Sequence, residues 1–229
     1  MDKMGRNFKN DTRIFILKNM EELKKIWQKC QNKAMDKKFT YFKRSVLSGV
    51  CIGLGGAIFV KLGGIVGAIM FAFGLLTVIY YKLPLYTGIA GFINIKQTNE
   101  WYNMFIALIG NIIGCYLLSL LFLNNETFDT TNIIQSRIDS GFLQSFLNAI
   151  GCGTIMTLIV HGARNGNQLL VLFGIPLFIL LGFYHSIADA FYASLVNYQL
   201  LLNYIPYYLI IILGNFVGCN IPRVFSYNK

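Results

Sequence analysis

One six-residue motif occurs twice in this chain and constrains its fold more than any other feature. Residues 110–115 read GNIIGC, and residues 214–219 read GNFVGC. A looser echo with about the same offset relates residues 48–53, SGVCIG, to residues 148–153, NAIGCG. All four segments lie in apolar stretches long enough to cross a bilayer, which takes a helix of roughly 20 residues. The motif therefore predicts two similar halves, both embedded in a membrane.

Each half holds three predicted spans, and this odd number determines how the halves are related. Three crossings leave the second half upside down in the membrane relative to the first. Inverted repeats with a site near the midplane are an architecture of transporters and channels. The alternative is a chance likeness, because small residues recur wherever membrane helices approach closely. We expect an all-α integral membrane protein with six transmembrane helices in two inverted three-helix repeats, at about 45–123 and 141–222.

The balance of apolar and charged residues also indicates a membrane protein. The chain is 55% hydrophobic and only 13% charged, which is unusual for a soluble domain. Residues 1–44 contain 13 of the 20 lysines and arginines. Positive charge gathered beside apolar spans is typical of a cytoplasmic segment. The expected partner of this basic chain is therefore the lipid bilayer, and no nucleic acid is expected.

The spans and the charge between them predict a topology within the cell (inner or plasma) membrane. A six-helix membrane domain is expected over residues 45–222, with spans at 45–60, 64–81, 101–123, 141–160, 169–198 and 201–222. The basic arm, residues 1–44, and the tail, residues 223–229, are both expected in the cytoplasm. The loop over residues 124–140 carries three acidic residues and one arginine, so it is expected outside.

The basic arm has a helical pattern of its own. Apolar side chains recur at spacings of three and four among its lysines, at Ile16, Met20, Leu23, Trp27 and Cys30. One apolar stripe on a cationic helix is suited to lying along a lipid surface or packing beneath the membrane domain. We therefore expect an amphipathic helix in the arm.

Two segments interrupt the predicted spans at corresponding places in the two halves. Pro84 and Gly88 should unwind the second span, and residues 182–189 should unwind the fifth. Broken helices at membrane depth are tolerated where they are buried in protein or line a polar cavity. His185 and Asp189 are ionisable residues deep in the fifth span, which makes them candidates for a functional site. The alternative is a structural pair in which each satisfies the other.

Several motifs of the chain occur together in one known family. Residues 85–88, LYTG, are similar to the family's LFTG loop, and residues 182–188, GFYHSIA, match its GFEHSIA at six of seven positions. Further matches follow the order of its third and fourth spans: Trp101, residues 110–114, Asn148, Cys152 and Arg164. From about residue 44 to residue 222, the chain resembles the formate/nitrite transporters. The resemblance implies an aquaporin-like fold with broken second and fifth helices, assembled as a homopentamer with one pore per protomer.

The resemblance also assigns roles to particular residues. His185 is implied to be the central pore histidine, with the hydroxyl of Thr87 facing it. Phe71 and Phe178 are implied to form an outer apolar constriction. The resemblance implies an inner constriction formed by Leu75, Leu85 and Tyr86. It implies that Asn148 is a polar lining residue between the two rings. Two apolar rings around a small polar chamber would exclude hydrated ions and pass neutral molecules.

The implied function is a proton-coupled channel or transporter. Its substrates would be small monovalent anions or their protonated weak acids, of the formate, nitrite or hydrosulfide type, moving together with a proton. The chain shows no cofactor-binding loop and no Ser–His–acid set, and its five cysteines lack metal-ligand spacing. We therefore expect no enzyme activity and no cofactor.

Departures from the family pattern leave two alternatives open. A lysine that draws anions into the family's vestibule is absent here, where the vestibule positions are Arg164, Asn167 and Gln168. Asp189 stands where the family usually has asparagine, and it either shares a helix face with His185 or points away to cap a helix end or face a neighbouring protomer. The loss of the lysine's positive charge and the gain of the negative charge of Asp189 near the pore both disfavour the entry of anions. The alternatives are an ammonium or neutral small-solute channel and a channel-like receptor that transports nothing.

Overall fold

A computed structural model describes residues 35–123 and 125–226 of the chain. Most of the predicted basic arm, including its apolar stripe at residues 16–30, lies outside the described residues. The chain divides into two units, Met1–Tyr41 and Phe42–Lys229. The described residues of the first unit are helical. The candidate site lies wholly within the second unit.

The regular elements in the described part of the chain are all helical, as the apolar spans predict. They are α1 (Met35–Leu62), α2 (Gly64–Tyr80), α3 (Tyr86–Ile89), α4 (Thr98–Ser119), a 3-10 turn (Glu126–Phe128), α5 (Thr131–Asp139), α6 (Gly141–Arg164), α7 (Leu169–Leu180), α8 (Ser186–Ala193) and α9 (Tyr198–Ser226). The first span is longer than expected because the lysine-rich residues before position 45 continue the helix, since lysine is a good helix former.

Four of the described helices are long and apolar enough to cross a membrane, namely α1, α4, α6 and α9. Their outward faces carry large apolar side chains such as Phe105, Leu147 and Leu209. The helices α2 and α7 are apolar but shorter, with 17 and 12 residues. An exposed surface of this kind is stable in lipid, so the chain is a membrane protein.

The repeated motif places a glycine at the closest approach of two helix pairs. A Cβ atom on Gly114 of α4 would lie 2.0 Å from the carbonyl oxygen of Val46 in α1. A Cβ atom on Gly218 of α9 would lie 2.1 Å from the carbonyl oxygen of Ile150 in α6. Because both contacts are related by the same offset of 104 residues, α1–α4 and α6–α9 cross in the same way.

The weaker repeat, residues 48–53 and 148–153, has a different alignment in the structure from the one that its sequence indicates. A Cβ atom on Gly49 would lie 2.0 Å from the carbonyl oxygen of Asn111, and one on Gly153 would lie 2.3 Å from that of Asn215. Gly49 therefore corresponds to Gly153, whereas the alignment of residues 48–53 with 148–153 is wrong by four residues. Glycine and other small residues recur so often in these helices that the sequence favours several registers.

The helices α2 and α7 end in the same hydrogen-bonded turn. The Leu83 N–H donates to the Val78 carbonyl at 2.8 Å, and the Phe183 N–H donates to the Phe178 carbonyl at 3.0 Å. In each turn the residue before this N–H donor has a left-handed backbone conformation, with φ 51° at Lys82 and 69° at Gly182. This is the Schellman arrangement that commonly ends a helix. The structure therefore places the two helix breaks at residues 81–85 and 181–185.

Lys82 adopts the left-handed conformation without being a glycine, and an arginine holds the turn in place. Arg44 Nη2 donates to the carbonyl oxygens of Tyr81 and Lys82 at 2.8 and 2.9 Å. These carbonyls follow the end of α2, where no helical N–H remains to bond them. A basic side chain at a helix C-terminus also interacts favourably with the helix dipole.

Alanine at Gly114 or Gly218 should destabilise the protein. The new Cβ atom would overlap a backbone carbonyl that cannot rotate away, so the paired helices must separate, at a cost of about 1–3 kcal/mol. We expect a lower midpoint of thermal unfolding for the detergent-purified protein, measured by tryptophan fluorescence. The half-exposed neighbours Ile113 and Val217, each changed to alanine, are the controls. Midpoints equal to those of the controls would contradict the close helix crossing.

Candidate functional site

The asparagine of the first motif holds the first helix break. Asn111 Oδ1 accepts a hydrogen bond from the Tyr86 N–H at 2.8 Å. Asn111 Nδ2 donates to the carbonyl oxygens of Pro84 at 3.0 Å and Ser45 at 2.8 Å. The side chain is fully buried. One amide therefore satisfies a donor and an acceptor that the broken helix leaves without helical partners.

The asparagine of the second motif makes the same three bonds at the second break. Asn215 Oδ1 accepts from the Ser186 N–H, and Nδ2 donates to the carbonyl oxygens of Tyr184 and Ala149, all at 2.8 Å. Backbone groups at membrane depth must find partners within the protein. The asparagines of the two motifs therefore stabilise two helix breaks through the same set of hydrogen bonds.

The cysteines of the two motifs reach across to the opposite break. Cys115 Sγ donates to the carbonyl oxygens of Gly49 and Ile187, both at 3.2 Å. Cys219 Sγ donates to the Thr87 carbonyl at 3.4 Å. Ile187 belongs to α8, whereas Cys115 belongs to the first half. Each half therefore contacts the short helix of the other half.

The two breaks meet where His185 contacts Thr87. His185 is the N-cap residue of α8, and its Nδ1 accepts from the Ala188 N–H at 3.1 Å. His185 Nε2 lies 2.9 Å from Thr87 Oγ1, and both side chains are buried. Because an N–H group already points at Nδ1, a neutral His185 carries its proton on Nε2 and donates to Thr87. Thr87 lies in α3, not in a loop, and its own hydroxyl hydrogen can point elsewhere.

Two phenylalanines pack beside the imidazole ring. Phe178 stacks on His185 with ring centroids 5.8 Å apart, and Phe71 meets Phe178 edge to face at 6.3 Å. Both phenylalanines are buried, and both come from the helices α2 and α7 that end at the breaks. The residues expected to form the outer constriction therefore lie together against the histidine.

Two of the residues expected to form the inner constriction lie at the start of α3, and the third, Leu75, lies in α2. Leu85 is the N-cap residue of α3, and Tyr86 is its first residue. Leu75, Leu85 and Tyr86 are all buried. The Tyr86 hydroxyl donates to the Ile212 carbonyl at 3.0 Å, which fixes its ring against α9. Leu85 and Tyr86 directly precede Thr87 in the chain.

A cavity of about 290 Å³ reaches the His185 side chain from the side of α5. Phe71 and Phe178 contribute to its apolar wall, and Arg137 and Asp189 contribute to its polar wall. Its volume can hold a small solute together with several water molecules. No cluster of three or more His, Cys, Asp or Glu side chains in the described ranges could hold a metal ion.

The cavity contains an ion pair between Arg137 and Asp189, and Arg137 was not among the site residues predicted from the sequence. Arg137 Nη2 lies 3.3 Å from Asp189 Oδ1, and Arg137 Nε donates to Asp189 Oδ2 at 3.4 Å. The Tyr204 hydroxyl donates to the same Oδ2 at 2.9 Å. The carboxylate of Asp189 thus accepts three hydrogen bonds, and the His185 ring is bonded to other groups, so the two side chains do not satisfy each other. The one available signal was that Arg137 is the only basic residue in the acidic segment 124–140.

The remaining predicted site residues lie away from this cavity. Asn148 Oδ1 accepts from Gln144 Nε2 at 2.8 Å and is not part of the cavity wall. Arg164 Nη2 donates to the Gly88 carbonyl at 3.0 Å, next to Thr87 in α3. The other two positions, Asn167 and Gln168, are exposed in the connection between α6 and α7.

Comparisons with known proteins agree on one family. The family model described as formate/nitrite transporter matches residues 20–227. A solved pentameric formate channel with formate bound superposes with a TM-score of 0.71 at 17% identity, covering 85% of this chain and 97% of that chain. An FNT family ion channel superposes with a TM-score of 0.74 at 19% identity, covering 85% of this chain and 91% of that chain. No curated protein matches the chain in sequence.

Leucine at Asn111 or Asn215 should lower stability by similar amounts at the two sites. Leucine is close in size but leaves one N–H and two carbonyl groups without partners, and each such group costs about 1–3 kcal/mol when buried. We expect a marked fall in the thermal midpoint of the detergent-purified protein, followed by tryptophan fluorescence.

Exposed asparagines on the same helices are matched controls for this test. Asn103 in α4 and Asn203 in α9 are exposed, so leucine there should change the midpoint little. If the buried variants were as stable as these controls, the asparagine bonds would not support the breaks.

Proposed function

Since the chain belongs to the formate/nitrite transporter family, we propose that it conducts small monovalent anions or their protonated weak acids across the cell membrane. The observation that carries this proposal is the buried pair of His185 and Thr87, which joins the two helix breaks beside two phenylalanines. A narrow apolar passage ending at one hydrogen-bonding site suits a solute of a few atoms. Formate, nitrite and hydrosulfide are the substrates to test first.

The membrane topology proposed here has six crossings in two inverted repeats. The 17 residues of α2 extend about 26 Å and the 12 residues of α7 about 18 Å, less than the roughly 30 Å of a bilayer core. The four residues of α3 and the eight of α8 bring each broken helix to about 30 Å. We therefore count α2 with α3, and α7 with α8, as one broken span each. The matching asparagine bonds at the two breaks support this pairing.

The orientation and assembly belong to the same proposal. The lysines and arginines of residues 1–44 favour a cytoplasmic N-terminus, and an even number of spans returns residues 223–229 to that side. The formate channel with the same fold is pentameric. A homopentamer with one pore per protomer would cover part of the apolar surface of this chain.

The mechanism follows from the cost of moving a charge past apolar rings. An anion cannot cheaply leave water beside Phe71 and Phe178, whereas its neutral acid can. His185 is already bonded at both ring nitrogens, so it can stay neutral and polarise the Thr87 hydroxyl toward the solute. The proton then comes from the solution on the entry side through water in the cavity, and the hydroxide or buffer base that it leaves stays on that side. Each anion therefore moves together with one proton. Transport is driven by the gradients of the anion and of pH.

The ion pair in the cavity weakens the case for an ammonium channel. That alternative depends on the negative charge of Asp189 attracting a cation. Arg137 and the Tyr204 hydroxyl occupy this carboxylate, so a cation would meet a neutralised group. The receptor alternative predicts no flux of any of these solutes.

Flux into liposomes is the direct test of the proposed function. The purified full chain in proteoliposomes should admit formate, nitrite and hydrosulfide, and a pH dye inside the vesicles should report one proton entering with each anion. Uptake should rise as the outer solution is acidified, and ammonium should not be conducted. Ammonium flux would favour the alternative channel, and the absence of any flux would favour the receptor.

Alanine at Phe178 should widen the passage. Loss of the ring that stacks on His185 is expected to raise formate flux several-fold and to admit larger acids such as lactate. The control is Phe173→Ala in the same helix, where the phenylalanine is 72% exposed. Unchanged flux and unchanged exclusion of lactate in a well-folded Phe178→Ala protein would argue against a constriction at this position.

A further inference from the structure

Helix α5 places a guanidinium group on the wall of the cavity that leads to His185. Asn132, Ser136 and Arg137 of α5 line the cavity together with Phe71 and Phe178. The Arg137 side chain is 16% exposed, whereas its partner Asp189 is 1% exposed. Both members of the ion pair line the cavity, and the positive member is the more exposed of the two.

The hydrogen bonds of Arg137 account for only some of the N–H donors of its guanidinium group. A guanidinium group has five N–H donors. Nε and one Nη2 hydrogen are directed to Asp189, and one Nη1 hydrogen to Ser136 Oγ at 3.2 Å. Within the part of the chain that the structure describes, one N–H of Nη1 and one of Nη2 have no acceptor. The face of Arg137 is also fixed, because its Cζ lies 4.2 Å from the centroid of the Tyr184 ring.

We propose that Arg137 binds a planar monovalent oxyanion at the mouth of the cavity, ahead of Phe71 and Phe178. Two N–H groups on neighbouring nitrogens match the two oxygens of a carboxylate or of nitrite. The proposal rests on the proposed function and orders its substrates by affinity, since hydrosulfide has no pair of oxygens to accept these bonds and should bind more weakly than formate or nitrite.

The paired Asp189 sets the strength of this site. A bare guanidinium in a partly buried cavity would hold an anion tightly, whereas one that is already shared with a carboxylate holds it weakly. A conducting site must attract its ion and still release it. The Arg137–Asp189 pair therefore attracts anions on the α5 side of the protein, although Asn167 and Gln168 stand where the family usually has its vestibule lysine.

A purely structural role for Arg137 predicts different behaviour from a binding role. In that case the ion pair only fastens α5 to α8, and breaking it from either side would impair the protein equally. A binding role predicts opposite effects from the two partners, because one attracts the anion and the other competes with it. Three variants of the full chain separate these cases.

The central variant is Arg137→Gln combined with Asp189→Asn. It removes the positive group but leaves no unpaired buried charge, which a single change at Arg137 would create. Asp189→Asn alone leaves the guanidinium free for the anion. Lys61→Gln removes a positive charge from the exposed last turn of α1, where Lys61 Nζ contacts Thr127 Oγ1, and it is the control for general charge effects.

The measurement is the initial rate of uptake of labelled formate into proteoliposomes at increasing formate concentrations. The double variant should raise KM about fivefold or more with little change in maximal rate, as expected for loss of a charge-assisted bond. Asp189→Asn should lower KM, and Lys61→Gln should leave it unchanged. An unchanged KM in the double variant, with wild-type uptake intact, would overturn the Arg137 site and leave the proposed function standing.

Two further outcomes are also decisive. If wild-type protein takes up no formate, the proposed function itself fails. If the double variant does not fold, as judged by its elution from a sizing column, Asp189→Asn decides the question. A lower KM then supports the site, and an unchanged or higher KM overturns it.

Discussion

The structure depends on one requirement, that every backbone group exposed by a broken helix within a membrane finds a partner in the protein. Asn111 and Asn215 fulfil this requirement with one side-chain amide each. Each amide bonds a backbone N–H and a carbonyl at its break, and it also bonds a carbonyl of a neighbouring helix. The glycines beside them let that neighbouring helix come close enough to receive the bond. Without these amides, α3 and α8 could not begin in the interior.

The two halves share a scaffold but differ in chemistry at the residue that precedes each short helix. Leu85 and His185 both precede a short helix whose first N–H is bonded by an asparagine. In the first half this position is apolar, and in the second it is an imidazole that caps its own helix and reaches Thr87 of the other half. The symmetric support brings the two short helices together. Their meeting point is polar because each half contributes one polar residue there, Thr87 and His185, where the other half has Ile187 and Leu85.

Much of this arrangement could be predicted from sequence, and the missing parts have physical reasons. The repeated motif and the residues around His185 indicated the breaks and the family, because both are local patterns. Arg137 was missed because its pairing with Asp189, 52 residues away, depends on how an acidic segment folds back as α5. The support of Lys82 by Arg44 likewise depends on tertiary packing. The predicted alignment of the weaker repeat, residues 48–53 with 148–153, was wrong because small residues fit several alignments.

The crossed cysteine contacts have a consequence for how the protein is made. Cys219 contacts the carbonyl of Thr87, and Cys115 contacts that of Ile187, so a side chain of each half bonds a carbonyl in the short helix of the other half. A chain emerging from the ribosome presents its first half long before the last helix exists. The Thr87 carbonyl can therefore receive its contact from Cys219 only after α9 has been synthesised, so the packing around α3 is completed late in the synthesis of the chain.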